Sequence, residues 1–158
     1  MRRKLKKIID RLKVNNKTIS TMESCTGGAL ASLITDISGA SLVFKYGAVT
    51  YSNEYKIKMG VSSDVIEKYS VYSMETAREM ARAISNFTTS DFGIGITGKL
   101  GEMDPNNLSG DNNRVFICIY DKENDKYIDL DTYVDSSDRV DDKKEVLEFI
   151  VSKLDLYV

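Results

Sequence analysis

The chain has 158 residues, 42% hydrophobic and 29% charged, enough for one globular domain over 1–158 with a sizeable core and too ordered in composition for wholesale disorder. A net charge of −2 gives no general attraction to nucleic acid or anionic lipid, and no apolar run nears the roughly 20 residues that span a bilayer. There is no histidine, which excludes Ser-His-Asp triads, histidine bases and most zinc sites; a nucleophile here needs a lysine, tyrosine, carboxylate or helix N-terminus to activate it.

Leu5, Ile8, Ile9 and Leu12 recur at helical spacing, so the first 14 residues read as an amphipathic helix closed by Asn15-Asn16. Its basic residues read as a solvated face, and the segment lacks the apolar block of a secretory signal, so a cytoplasmic protein is expected. Residues 18–22 read as a short buried strand, 24–28 as a turn, and 29–35 as a second helix. A Gly/Ser/Asp turn at 36–41 leads to a strand over 43–51, then two short helical pieces over 53–59 and 63–69. Ser73 is a good N-cap for a longer helix whose inward stripe is Met74, Ala77, Met80, Ala81 and Ile84.

Residues 91–96 alternate small and branched side chains, as a central strand does. The polar stretch 99–113 holds the only proline and reads as a long surface loop. Strands over 115–120 and 127–133, joined by the turn 121–126, suggest a hairpin. A last helix over 137–154 points Val146, Leu147, Ile150 and Leu154 inward. Helices alternate with strands first and a hairpin comes late. The expected fold is therefore α/β, a three-layer α/β/α domain with a mixed, mostly parallel sheet.

Strand, then Glu23-Ser24-Cys25-Thr26-Gly27-Gly28, then helix is the segment that carries chemistry. A small hydroxyl residue at the carboxyl end of a buried strand stands where open α/β sheets bind ligands. The two glycines allow close approach to the backbone, and free N–H groups of the new helix point at an anion or oxyanion. Neither a G-x-S-x-G elbow nor a P-loop is present. Read on residues alone, Ser24 or Thr26 serves equally well as a helix cap, and Cys25 at a helix start is a rival nucleophile. Cys25 and Cys118 have no metal-site or disulfide-framework spacing and are expected as reduced thiols. Asp141-Asp142 reads as helix-start charge, so no metal is expected.

The sequence ESCTGG, with Thr35-Asp36 and Gly39-x-Ser41, then Tyr51-Ser52-Asn53-x-x-Lys56, resembles the CinA C-terminal domain family. The resemblance continues through Gly60-Val61, Val71-x-Ser73, Ala77-x-x-Met80-Ala81, Thr97-Gly98 and the pair Asp138-Arg139 before the last helix. It implies deamidation of nicotinamide mononucleotide to nicotinic acid mononucleotide and ammonia, without a cofactor. It also implies roles: Ser24 as nucleophile, Lys56 as its base, Tyr51 nearby, and Thr26, Gly27, Gly28, Asn53, Thr97, Gly98 and Arg139 around the substrate. A Ser-Lys pair is also the most economical route to an amide in a chain without histidine. Such a lysine must be partly neutral near pH 7, which takes burial or nearby positive charge worth roughly 4 kcal/mol. Lys143 shares a helix face with Arg139 at i, i+4, an arrangement that suits an anion such as a phosphate.

The pattern breaks after Thr97-Gly98, where Lys99-Leu100-Gly101-Glu102-Met103-Asp104 replaces the family's small Gly/Pro-rich loop. Asp111-Asn112-Asn113-Arg114 stands where a later Pro and Gly belong, and Tyr69-Ser70 and Tyr72 replace small residues. Two other functions stay open: a ligand- or partner-binding domain without catalysis, and an amidase for a related small molecule. The expected partners are a pyridine nucleotide and further copies of the chain, with neither nucleic acid nor membrane.

Overall fold

A computed structural model of the chain describes residues 1–101, 105, 108, 110–135 and 138–158. Helix α1 (Arg2–Val14) buries Leu5, Ile8, Ile9 and Leu12 and leaves Arg2, Arg3, Lys4, Lys6 and Lys7 exposed. Asn15 closes it, its side-chain amide donating to the Arg11 carbonyl at 2.9 Å. Strand β1 (Ile19–Glu23) is buried along its whole length. Thr18 just before it donates its N–H and hydroxyl to Asp91, tying the start of β1 to its neighbour strand. Burial pushes the Asp91 carboxyl up, but the bonds from Thr18 and Lys17 outweigh it and hold the group below its ordinary value.

Helix α2 (Ala29–Thr35), a 3-10 turn (Ala40–Leu42) and strand β2 (Phe44–Val49) follow. β2 is shorter than the 43–51 expected, because Tyr51 and Ser52 turn away to start the next helix. Helices α3 (Asn53–Lys58), α4 (Ser63–Tyr69) and α5 (Met74–Thr88) begin at Ser52, Ser62 and Ser73. Each of those hydroxyls accepts the N–H of the third residue along, filling an orphan donor of the first turn. Strands β3 (Phe92–Gly98), β4 (Arg114–Asp121) and β5 (Lys126–Tyr133) lead to helix α6 (Arg139–Tyr157), capped by Asp138. The expected helix start at Ser137 lies outside the described residues, as do 102–104, 106, 107 and 109 of the expected loop. Among the described residues no helix is long and apolar enough to cross a membrane.

The strands form one sheet in the order β2-β1-β3-β4-β5. β1 pairs in parallel with β2 and β3, while β4 runs antiparallel to β3 and β5. Four strands thus point one way and β4 alone is reversed, as a hairpin at the end of a parallel sheet requires. Ile19, Ile94, Ile96, Ile117 and Ile119 pack on one face with the buried residues of α1, α2 and α6. Met22, Ala48 and Cys118 pack on the other with Met80, Ile84, Ala77 and Ala81 of α5. The result is the three-layer α/β/α arrangement. Gly93 and Gly95 bring α5 hard against β3, where an added Cβ would fall 2.0 Å from the Ala81 carbonyl oxygen and 2.2 Å from that of Ala77.

The chain leaves β1 through α2 on one face and leaves β2 through α5 on the other. That change of side falls at the carboxyl ends of β1 and β3, the position where open α/β sheets bind ligands.

Candidate active site

Strand alternation sends successive side chains at the end of β1 to opposite faces, so Glu23 and Ser24 part company. Ser24 is held as the sheet ends: its N–H donates to the Ile96 carbonyl at 3.0 Å, and its own carbonyl accepts the Gly27 N–H at 2.9 Å. The turn then needs left-handed backbone, which glycine supplies at Gly27 (φ 62°) and Gly28 (φ 90°).

Lys56 reaches Ser24 from α3. Its side chain is 1% exposed, and its amine donates to Ser24 Oγ at 3.0 Å and to the Thr50 carbonyl at 2.7 Å. The Thr50 hydroxyl is buried and has no hydrogen-bond partner among the described residues. Thr50 also donates its N–H to the Glu23 carbonyl, so β2, β1 and α3 meet at one point.

Neither Ser24 nor Thr26 caps α2. The N-cap position belongs to Gly28, and the Thr26 hydroxyl donates to Glu23 Oε2 at 2.6 Å. The N–H groups of the new helix, expected to be free for an anion, are partly spent inside the protein. Leu30 donates to Glu23 Oε2 at 3.1 Å and Ala31 to Oε1 at 2.8 Å. Among the described residues, the N–H groups of Cys25, Thr26 and Gly28 carry no such bond.

Tyr51 bonds to Arg139, on α6. It is 66% exposed, and its hydroxyl accepts from Arg139 Nη2 at 3.3 Å. Arg139 Nη1 donates to the Leu100 carbonyl at 2.6 Å, so one guanidinium links the segment after β2 to the segment after β3. A Cβ on Gly27 would lie 3.5 Å from the Lys143 amine, which puts that second cation of α6 beside the turn. Asn53 opens α3, the helix that carries Lys56. Thr97 is fully buried and donates its hydroxyl to the Val71 carbonyl at 2.8 Å, while Gly98 lets β4 approach, an added Cβ falling 2.6 Å from the Arg114 carbonyl oxygen. Of the residues assigned by resemblance, Thr26, Thr97 and Gly98 therefore carry scaffold contacts; Ser24 and Lys56 meet; Gly27 and Gly28 form the turn; and Tyr51 and Arg139 pair with each other. Lys99, from the segment that departs from the family pattern, is buried with its amine 5.1 Å from the centre of the Tyr72 ring.

Glu23 and Thr50 were missed in the sequence reading. A carboxylate on the α2 side of a wholly buried strand was the available signal for Glu23. Thr50 gave no signal, since a threonine near the end of a strand is ordinary.

Cys25 is a poor rival nucleophile. Burial pushes its thiol up to about 12, and the Glu23 charge adds to this, outweighing the opposing charges of Lys56 and Arg139. Burial pushes Cys118 up to about 12 as well. The folded protein is expected to resist iodoacetamide at pH 8, with both thiols unmodified by mass and activity retained. Fast alkylation of Cys25 with matching loss of activity is the contrary result.

The CinA C-terminal domain family matches residues 2–154 of this chain. A CinA-like protein of Endomicrobium trichonymphae is 46% identical over 90 residues, which cover 56% of this chain and 21% of that protein. The chain thus spans roughly a fifth to a quarter of the length of such curated relatives. The fold recurs in a competence or damage-inducible protein from Enterobacter asburiae, at 24% identity and TM-score 0.87, covering 97% of this chain and 95% of that one. It recurs also in a competence-damaged protein (CinA) superfamily protein from Escherichia coli, at 25% identity and TM-score 0.85, covering 96% and 86%.

Proposed function

The chain belongs to the CinA C-terminal domain family, and from that premise we propose that it is an amidohydrolase whose nucleophile is Ser24 and whose base is Lys56. The substrate is nicotinamide mononucleotide, and the products are nicotinic acid mononucleotide and ammonia. The observation that carries this reading is the 3.0 Å separation of Lys56 Nζ and Ser24 Oγ in a chain without histidine. Burial of a lysine amine removes the water that solvates its charged form, which is what a base near neutrality requires.

In the first half-reaction, neutral Lys56 takes the Ser24 proton as Oγ bonds to the carboxamide carbon. The tetrahedral intermediate then collapses. The C–N bond breaks, and the Lys56 ammonium returns that proton to the departing nitrogen, which leaves as ammonia. In the second half, Lys56 takes a proton from water as its oxygen bonds to the acyl carbon. The ester C–O bond breaks, Ser24 Oγ takes that proton back from the Lys56 ammonium, and the acid product leaves, its remaining proton passing to solvent to give the carboxylate. The N–H groups of Cys25, Thr26 and Gly28 are the donors left in the turn for the developing oxyanion. Arg139 and Lys143 supply positive charge for the phosphate.

Side-by-side ammonia release from nicotinamide mononucleotide, nicotinamide riboside, nicotinamide and glutamine tests this reading. Charge-assisted contacts to the phosphate are worth about 1.5–3 kcal/mol each, so the riboside should fall roughly 100-fold in kcat/KM. Equal rates on nucleotide and riboside would remove the phosphate from the account. Binding of the nucleotide with no ammonia would mark a binding domain instead.

A further inference from the structure

Glu23 does something that no helix cap inside α2 does. It is fully buried at the last position of β1, and its carboxylate reaches over the entire turn that carries Ser24. Oε2 accepts the Thr26 hydroxyl at 2.6 Å and the Leu30 N–H at 3.1 Å; Oε1 accepts the Ala31 N–H at 2.8 Å. Thr21 Oγ1 adds a longer contact at 3.5 Å from the strand itself. Gly28, the N-cap of α2, has no side chain to do this work. The carboxylate therefore ties strand, turn and helix together from beneath, with Ser24 on the tied segment and facing the other way.

We propose that Glu23 is a positioning residue: it fixes the 24–28 turn so that Ser24 Oγ stays aimed at Lys56. This rests on Ser24 being the nucleophile. A turn with two left-handed glycines has many accessible conformations when untied. Serine attack tolerates little of that freedom, since a displacement of about 1 Å can cost about 100-fold. The side-chain contacts of Glu23 run to Thr21, Thr26, Leu30 and Ala31 and not to Ser24 or Lys56, so it acts on the reaction by holding the turn.

The test is the rate at which a fluorophosphonate labels Ser24 in wild-type, Glu23→Gln and Ser24→Ala protein, read by intact mass and peptide mapping. Each protein is assayed at least 15 °C below its own melting temperature. Glutamine keeps the size of the side chain but sets an NH2 against at least one of the three donors. The expected result is rapid labelling of wild type, labelling of Glu23→Gln slower by roughly 10- to 100-fold, and none in Ser24→Ala. Nicotinamide mononucleotide turnover should follow through kcat, with KM within about threefold. Equal labelling in a folded Glu23→Gln protein of lowered melting temperature overturns the proposal and leaves Glu23 a stabilising residue. If Glu23→Gln does not fold, Thr26→Val, which deletes only the hydroxyl tie, takes its place. Slow labelling restored by Thr26→Ser then supports the proposal, and unchanged labelling in Thr26→Val overturns it. Wild-type labelling without ammonia release tells against the substrate alone. An unlabelled wild type tells against the nucleophile and this proposal together.

Discussion

Ser24→Ala is expected to lower kcat for nicotinamide mononucleotide by at least about 1000-fold while leaving nucleotide affinity within a fewfold of wild type. The hydroxyl forms a bond in the transition state and contributes little to the ground state, so its removal is felt in kcat. Stability should hardly move. Among the described residues Ser24 caps no helix, and its side chain's one hydrogen bond comes from the Lys56 amine. Losing that bond costs about 1 kcal/mol, or about 2–4 °C for a chain of this size. Calorimetric binding of the nucleotide, ammonia release and a thermal melt on the same preparation separate these quantities. A variant that melts close to wild type and still turns over at a similar rate would show that Ser24 is a bystander.

Lys56→Met should have a loss of similar size with a different signature. Methionine keeps most of the stem's packing and removes the amine, so proton transfer stops while α3 stays in place. The hydrogen bonds to Ser24 Oγ and to the Thr50 carbonyl are lost. Against that, a buried amine is replaced by an apolar group, which at such positions is often neutral or stabilising. The melting temperature is therefore expected within a few degrees of wild type, with kcat down about 1000-fold and KM little changed. Small primary amines supplied to a Lys56→Ala variant should restore part of the rate, since that substitution leaves room for them. A melting temperature that collapses in Lys56→Met, with no rescue of Lys56→Ala, would point to a structural lysine.

Much of this molecule was legible in the sequence, for identifiable reasons. The stripe Leu5-Ile8-Ile9-Leu12 marked α1, and Ser73 marked the start of α5 through cap chemistry that depends only on neighbours. The alternation of small and branched residues over 91–96 anticipated a central strand, and the structure shows β3 there. What stayed hidden depends on partners distant in sequence. The Thr97 hydroxyl finds the Val71 carbonyl 26 residues away, and Arg139 spans 88 residues to Tyr51. No local pattern announces such pairings.

The site divides the same way. Ser24 could be nominated because a small hydroxyl follows a buried strand, and Lys56 through the family resemblance. Their 3.0 Å approach depends on how β2 delivers α3 beside the end of β1, which is a property of the sheet order. The role of Glu23 is hidden in sequence because its partners Thr26, Leu30 and Ala31 meet its carboxylate only once the turn has folded back over the strand end.

The most direct measurement is product analysis of the wild-type protein with nicotinamide mononucleotide in the presence of a chelator. Ammonia and nicotinic acid mononucleotide should appear in equal amounts, at a rate the chelator leaves unchanged, because a serine–lysine pair needs no metal to attack an amide. Nucleotide recovered intact after prolonged incubation, or turnover lost to the chelator and restored by one divalent ion, would contradict the account.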